Sequence, residues 1–316
     1  MTLRRGIKGY VAMAYAGLSV VAAIALMYLV ARILLALASG AFQRIIQVVP
    51  VGSIALAAAV YIFGHIFRSM RLALLIGGWS VGLRLITSFH FMTAGVSLAM
   101  PLKLGEFYRV AALSRLIGSF TLSVEIVWWE RVLDVIALII IMMVAFRDAS
   151  SGSWHQFADV IVLAVSFIAI SVLVFFVLPD NLRRTSVLII RRYDSPRTVP
   201  ILRILERVRR SILEAPRMVR GKKGSLAALT MLIWACEVGT FAILLAALGK
   251  AIADAPDALL GLLSVLTRGQ TLAGVMDSNA TAFGGQFLPY FAATQAPLAL
   301  FGLFAGIIYT IERMRQ

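Results

Sequence analysis

Charge and cysteine are what this chain has least of. Of its 316 residues only 14% are Asp, Glu, Lys or Arg and 61% are hydrophobic, whereas an average soluble domain has about 25% charged and roughly 45–50% apolar residues. One soluble core does not absorb such an excess. A single cysteine, Cys236, excludes an intramolecular disulfide and a thiolate zinc cluster. The histidines, His65, His90 and His155, are far apart in sequence and none belongs to an H-E-x-x-H pair, so a zinc hydrolase is not expected. Neither a P-loop, a dinucleotide-type glycine loop nor a G-x-S-x-G elbow is present, which removes the marks of ATP-driven transport, Rossmann redox chemistry and serine hydrolysis. No cofactor and no metal are expected.

What the chain does have is long apolar runs. Its mean hydropathy is +0.93, and Tyr10 to Ala38, Pro50 to Phe67, Phe120 to Phe146, Phe157 to Leu178 and Leu226 to Leu248 are apolar stretches long enough to cross a bilayer core of roughly 30 Å at about 1.5 Å per residue. Pro297 to Ile311 is a shorter closing span, extended backward toward Tyr290. The first run is too long for a signal peptide and reads as an uncleaved helix. The expected fold is therefore an all-α polytopic membrane protein, residues 1–316 forming one integral membrane domain.

The net charge of +15 would suggest nucleic acid in a soluble protein, but in a membrane protein it reports topology through Lys- and Arg-rich cytoplasmic loops. Residues 179–224 hold thirteen basic residues against Asp180, Asp194, Glu206 and Glu214, and read as a cytoplasmic linker. Within it Thr198 to Arg220 repeats apolar residues at helical spacing between arginines. That pattern suits an amphipathic helix on an anionic membrane surface through residues 197–223, or a solvated connector that only sets topology. No nucleic-acid partner is expected, because aromatic residues hardly interleave the basic ones.

Placing the N-terminus and the linker inside has a further consequence. Arg68, Arg71 and the segment Lys103 to Arg115 then fall inside too, so Leu72 to Met100 enters and leaves on one side as a re-entrant segment. By the same count, with a cytoplasmic C-terminal tail, Ala258 to Tyr290 dips in from the opposite side. The two segments share a pattern: Ala94-Gly95-Val96 precedes Gly105-Glu106-Phe107, and Ala273-Gly274-Val275 precedes Gly285-Gln286-Phe287. Six full transmembrane helices with two oppositely oriented re-entrant hairpins form the pattern of an inverted-repeat transporter, whose substrate site lies near the midplane.

Charges inside lipid cost about 2.5–3.5 kcal/mol each on insertion scales, so each one asks for a reason. Arg84 and Arg268 sit within the two re-entrant segments, as a binding group or as arginines snorkelling to headgroups. Glu106 and Arg109 are i, i+3 neighbours after Pro101 and Lys103. Glu130, Arg131 and Asp134 fall on one arc of the following helix, either as part of a site or as an ion-pair cluster pinning helices together. Glu237 reads as a paired or protonated bundle residue more readily than as a proton carrier.

The run Pro101-Leu102-Lys103-Leu104-Gly105-Glu106-Phe107-Tyr108-Arg109, followed by Glu130-Arg131-Val132-Leu133-Asp134, resembles the P-x-x-x-G-E-x-x-R … E-R-x-x-D signature of the transmembrane region of lysylphosphatidylglycerol synthases. The resemblance implies a stand-alone, flippase-like protein of a bacterial-type inner membrane, multi-pass with both termini cytoplasmic, and not an enzyme. Relatives carry a glutamate after the C-terminal glycines where this chain has Gln286. On this reading Arg84, Lys103, Arg109, Arg131 and Arg268 surround an anionic lipid headgroup or a lipid-linked substrate, Glu106, Glu130 and Asp134 orient those cations, and Gln286 lines the same site. The alternatives are an accessory scaffold for a lipid-modifying enzyme, such as a polyprenyl-dependent glycosyltransferase, and a membrane-embedded transferase with one of the acids as general base.

Overall fold

The computed structural model describes residues 2–38, 46–77, 82–100, 104–145, 154–192, 198–249 and 284–315. Among them the chain is an all-α polytopic membrane protein of ten α-helices with no strand: α1 (Thr2–Ala38), α2 (Val51–Ile76), α3 (Leu83–Ala99), α4 (Leu104–Ile117), α5 (Phe120–Ala145), α6 (Trp154–Val172), α7 (Leu178–Arg192), α8 (Thr198–Val219), α9 (Lys223–Ala247) and α10 (Gly284–Met314). Five spans are long and apolar enough to cross a membrane: Ala16–Leu35, Val51–Ile76, Ile161–Arg192, Lys223–Ala247 and Pro289–Met314. These correspond to five of the six spans read from sequence. The sixth, α5, is long enough at roughly 39 Å, but carries Glu125, Glu130, Arg131 and Asp134.

Local chemistry explains the helix ends and corrects two boundaries. The second span does not stop at Arg68: α2 runs two further turns to Ile76, where Gly77 takes a left-handed conformation (φ 106°) and its N–H bonds the carbonyls of Ala73 and Leu74. Only glycine adopts that cap cheaply. Helix α3 then passes unbroken through Gly95 and ends at Met100, which is extended (φ −93°, ψ 130°) because the following Pro101 disfavours a helical residue before it. The segment Leu72 to Met100 is therefore not one re-entrant unit. The observed unit is a helical hairpin of α3 and α4, roughly 25 and 21 Å long, each too short to cross 30 Å of hydrocarbon upright.

Both open ends of this hairpin meet the last turns of α10. Arg84 Nε lies 2.9 Å from Glu312 Oε1, and Arg313 Nη2 donates to the Arg115 carbonyl at 2.8 Å. The hairpin thus starts and finishes at one level of the bundle. Close backbone contact holds it there. A Cβ on Gly302 of α10 would lie 2.9 Å from Gly95 Cα and 3.0 Å from the Phe91 carbonyl, and one on Gly105 would lie 2.8 Å from Ser97 Cβ across the hairpin. Small residues at such contacts let helices in lipid approach closely. Elsewhere α2 lies along α9, and the buried core collects Phe89, Phe91, Leu72, Ile126 and Phe291. The second expected re-entrant segment lies outside the described residues up to position 283.

The basic linker is helical rather than irregular. Helix α6 continues through a π-helical turn, Leu173–Val177, into α7, so Pro179 sits at the start of α7 where its missing N–H is accommodated by the wider turn. Helix α8 covers almost the span expected, packs beside α7 and docks on α5: Trp129 Nε1 donates to the Ala215 carbonyl at 3.0 Å, and Ser211 donates to Glu125. Its remaining apolar side, with Ile201 and Ile204, is exposed. Bonds from Arg210 and Arg209 hold the Glu206 carboxyl below the usual carboxylate range.

The glycine contacts make a direct test. Gly302→Leu forces α3 from α10, and overpacking of that kind costs about 1–3 kcal/mol. Its thermal midpoint in detergent should fall well below that of the parent, while Gly17→Ala, with open space around it, should leave it in place.

Candidate functional site

Four helices bring arginines and acids to one place. On α2, His65, Arg68 and Arg71 follow one another at three-residue spacing, and residues three apart are neighbours on a helix surface. Helix α4 brings Glu106 and Arg109, α5 brings Glu130, Arg131 and Asp134, and α9 brings Thr230 and Glu237. Because α4 is the second arm of the hairpin, the close Gly105–Ser97 contact helps determine where its two charged residues lie.

Every arginine of the cluster has an acid partner, and Asp134 is shared by two of them. Arg109 Nη2 bonds both oxygens of Glu130, at 3.0 and 2.8 Å, with the side chains 8% and 2% exposed. Arg71 Nη1 donates to Asp134 Oδ1 at 2.7 Å and to Thr230 Oγ1 at 3.2 Å. Arg131 reaches Glu106 at 2.8 Å and Asp134 Oδ2 at 3.6 Å, so Asp134 joins two arginines into one chain. Arg68 Nη2 bonds Glu237 Oε1 at 2.8 Å. Four guanidiniums and four carboxylates make a cluster of zero net charge. In a low-dielectric interior that balance is what makes eight charges tolerable.

The pairing is incomplete on the arginine side. The Nε atoms of Arg68, Arg71, Arg109 and Arg131 are all buried with no hydrogen-bond partner among the described residues, as is Glu106 Oε2. Each guanidinium therefore uses one edge on an acid and keeps an unmet donor. Buried polar groups are partnered in the great majority of cases, and a group of orphans asks for an explanation such as a ligand. Arg131 is also 40% exposed and Glu106 35%, so the Arg131–Glu106 pair is the accessible edge of the cluster.

Of the residues expected from sequence, Glu106, Arg109, Glu130, Arg131 and Asp134 come together here. Arg109 is buried rather than part of a cytoplasmic loop. Arg84 does not join them; its side chain is 80% exposed and pairs with Glu312 at the end of α10. Lys103 and Arg268 lie outside the described residues, and Gln286 falls in the first turn of α10 without a described side chain. The sequence places Arg68 and Arg71 at the end of a span and does not single out Thr230, whereas the structure brings all three into the cluster. Their signal was available, since Tyr61, His65, Arg68 and Arg71 share one face of an otherwise apolar helix at spacings of three and four.

The fold and this cluster define an α-helical, multi-pass membrane protein with a paired arginine–carboxylate site between a helical hairpin and its neighbours. Within that class the chain belongs to the family described as the lysylphosphatidylglycerol synthase TM region, whose family model matches residues 15–269. That stretch contains the hairpin and all four arginines of the cluster, and stops short of Gln286. Comparison with curated proteins and with solved structures gave no match.

Removing one partner of the Arg109–Glu130 pair strands a buried charge, which costs about 3–5 kcal/mol, whereas replacing both by apolar residues of similar volume is often close to neutral. Glu130→Ala should therefore lower the unfolding midpoint sharply in detergent, and the double variant Arg109→Met/Glu130→Leu should recover most of the loss. Equal loss in both would mean that the pair does not hold this interface.

Proposed function

We propose that the protein moves a lipid with an anionic headgroup across a bacterial-type inner membrane, with both termini cytoplasmic and the α3–α4 hairpin re-entering from the cytoplasmic face. The observation that carries this reading is the set of four guanidiniums, each with a buried, unmet Nε donor. A phosphodiester headgroup supplies acceptor oxygens of the right charge for guanidinium donors, and arginine forms such contacts in a planar, fork-like geometry.

The acids serve this function by holding the arginines in position when no headgroup is present. Glu106 and Asp134 share Arg131, so an incoming phosphate at the exposed edge exchanges one anion for another rather than entering an unprepared pocket. Such exchange lowers the desolvation cost of the bound charge. The closeness of Gly105 to Ser97 holds the two arms of the hairpin together, and that of Gly95 to Gly302 mounts it on α10.

The paired state of all four acids favours binding over general-base catalysis by these carboxylates, which is why transport is preferred here to a membrane-embedded transferase. The reading is tested in proteoliposomes containing fluorescent phosphatidylglycerol, with dithionite quenching as the report of transbilayer movement. Losing one charge-assisted contact of roughly 1.5–3 kcal/mol should slow translocation by about tenfold or more in Arg131→Gln and in Arg71→Gln. Unchanged rates in both variants, folded and reconstituted at equal density, would rule the site out.

A further inference from the structure

Beside the ion-pair cluster lies a second buried group that the translocation reading leaves unused. His65 of α2 and His90 of α3, 25 residues apart in sequence, are 2% and 1% exposed and share a hydrogen bond of 3.0 Å between His65 Nδ1 and His90 Nε2. Their outer nitrogens, His65 Nε2 and His90 Nδ1, are buried with no partner among the described residues. Tyr61 lies edge-on to His65 with ring centroids 4.8 Å apart, and Phe91 closes the other side at 5.8 Å.

The tautomers of such a pair are linked. In the neutral state one imidazole donates to the other, so one outer nitrogen is an N–H and the other a bare lone pair. One added proton turns that lone pair into a donor and leaves the inner hydrogen bond in place, now charge-assisted. The pair is thus built to hold one proton without rearranging its neighbours.

The charges around it give that proton a role. The charges that face the pair are cations, Arg68 and Arg71 from α2 and Arg109 from α4, with Tyr61 of α2 edge-on to His65; the acids Glu130 and Asp134 of α5 and Glu237 of α9 lie one step further out, as the partners of those arginines. These cations keep the empty pair neutral. With neutral imidazoles the four arginines and four carboxylates of the cluster balance. An anionic headgroup bound to those arginines leaves one uncompensated negative charge in a low-dielectric interior, and the protonated pair restores neutrality.

We propose that the His65–His90 pair takes up one proton when an anionic lipid headgroup binds, which makes headgroup and proton a single neutral load. The inference rests on the translocase reading and adds the ion that accompanies the lipid. The balance is simple: one proton from the aqueous phase bonds to the outer imidazole lone pair, the phosphodiester monoanion enters with its charge unchanged, and no covalent bond of the lipid breaks.

The test uses the full-length protein in detergent in weakly buffered solution near neutral pH, titrated with dihexanoyl phosphatidylglycerol while a pH indicator counts protons and tryptophan fluorescence reports binding. The wild type should take up about one proton per bound headgroup, and its Kd should weaken about tenfold per pH unit above neutrality. His65→Gln and His90→Gln should still bind the lipid, with uptake reduced to the buffer blank. Binding by the wild type without uptake and with a pH-independent Kd overturns the proton inference and leaves the translocase reading standing. Uptake that persists in both variants also overturns it. Absence of lipid binding by the folded wild type overturns both. Where a variant does not fold, the pH dependence of the wild-type Kd still decides.

Discussion

Four arginines inside a membrane bundle constrain everything around them. At about 2.5–3.5 kcal/mol each on insertion scales, four arginines and four acids left unpaired would cost on the order of 20 kcal/mol or more, beyond the stability of a typical domain. Pairing is therefore a condition of folding rather than an ornament. It dictates that α2, α4, α5 and α9 converge, because the arginines of α2 find their acids on α5 and α9, and those of α4 and α5 find theirs on each other. The hairpin brings α4 within reach, and α10 holds the hairpin through glycine contacts too close for any side chain.

The same pairing gives the site its character. A cluster that is neutral when empty has no strong field to trap a permanent counter-ion, yet each of its arginines keeps a buried, unmet Nε donor. Binding an anion there is an exchange of partners. Such a site is able to hold a headgroup and to release it again, as transport requires.

Much of this was legible in the chain. The apolar runs identify the spans, and Glu106, Arg109, Glu130, Arg131 and Asp134 stand out because charges in apolar helices are expensive. What failed was the assumption that a charge near the end of an apolar run marks the membrane surface. On that rule Arg68 and Arg71 end the second span at the cytoplasmic surface, whereas α2 continues to Ile76 and buries Arg71. Arg84 erred in the opposite direction, since the glycines before it left its depth undetermined and it sits exposed against Glu312. Histidines 25 residues apart gave no sign of their contact, because only the packing of α3 on α2 brings them together. Pairings across helices are set by tertiary approach, and a periodic pattern shows which face is polar but not what it meets.

The central claim is that the arginine–carboxylate cluster is a seat for an anionic lipid. Native mass spectrometry of the protein extracted in mild detergent measures this most directly when the wild type is compared with Arg109→Met/Glu130→Leu, in which the central pair is gone without leaving an unpaired charge. The account predicts that the wild type retains a lipid with a phosphate headgroup and that the folded double variant loses it. Retention of the same lipid at equal occupancy by both, or by neither, would contradict it.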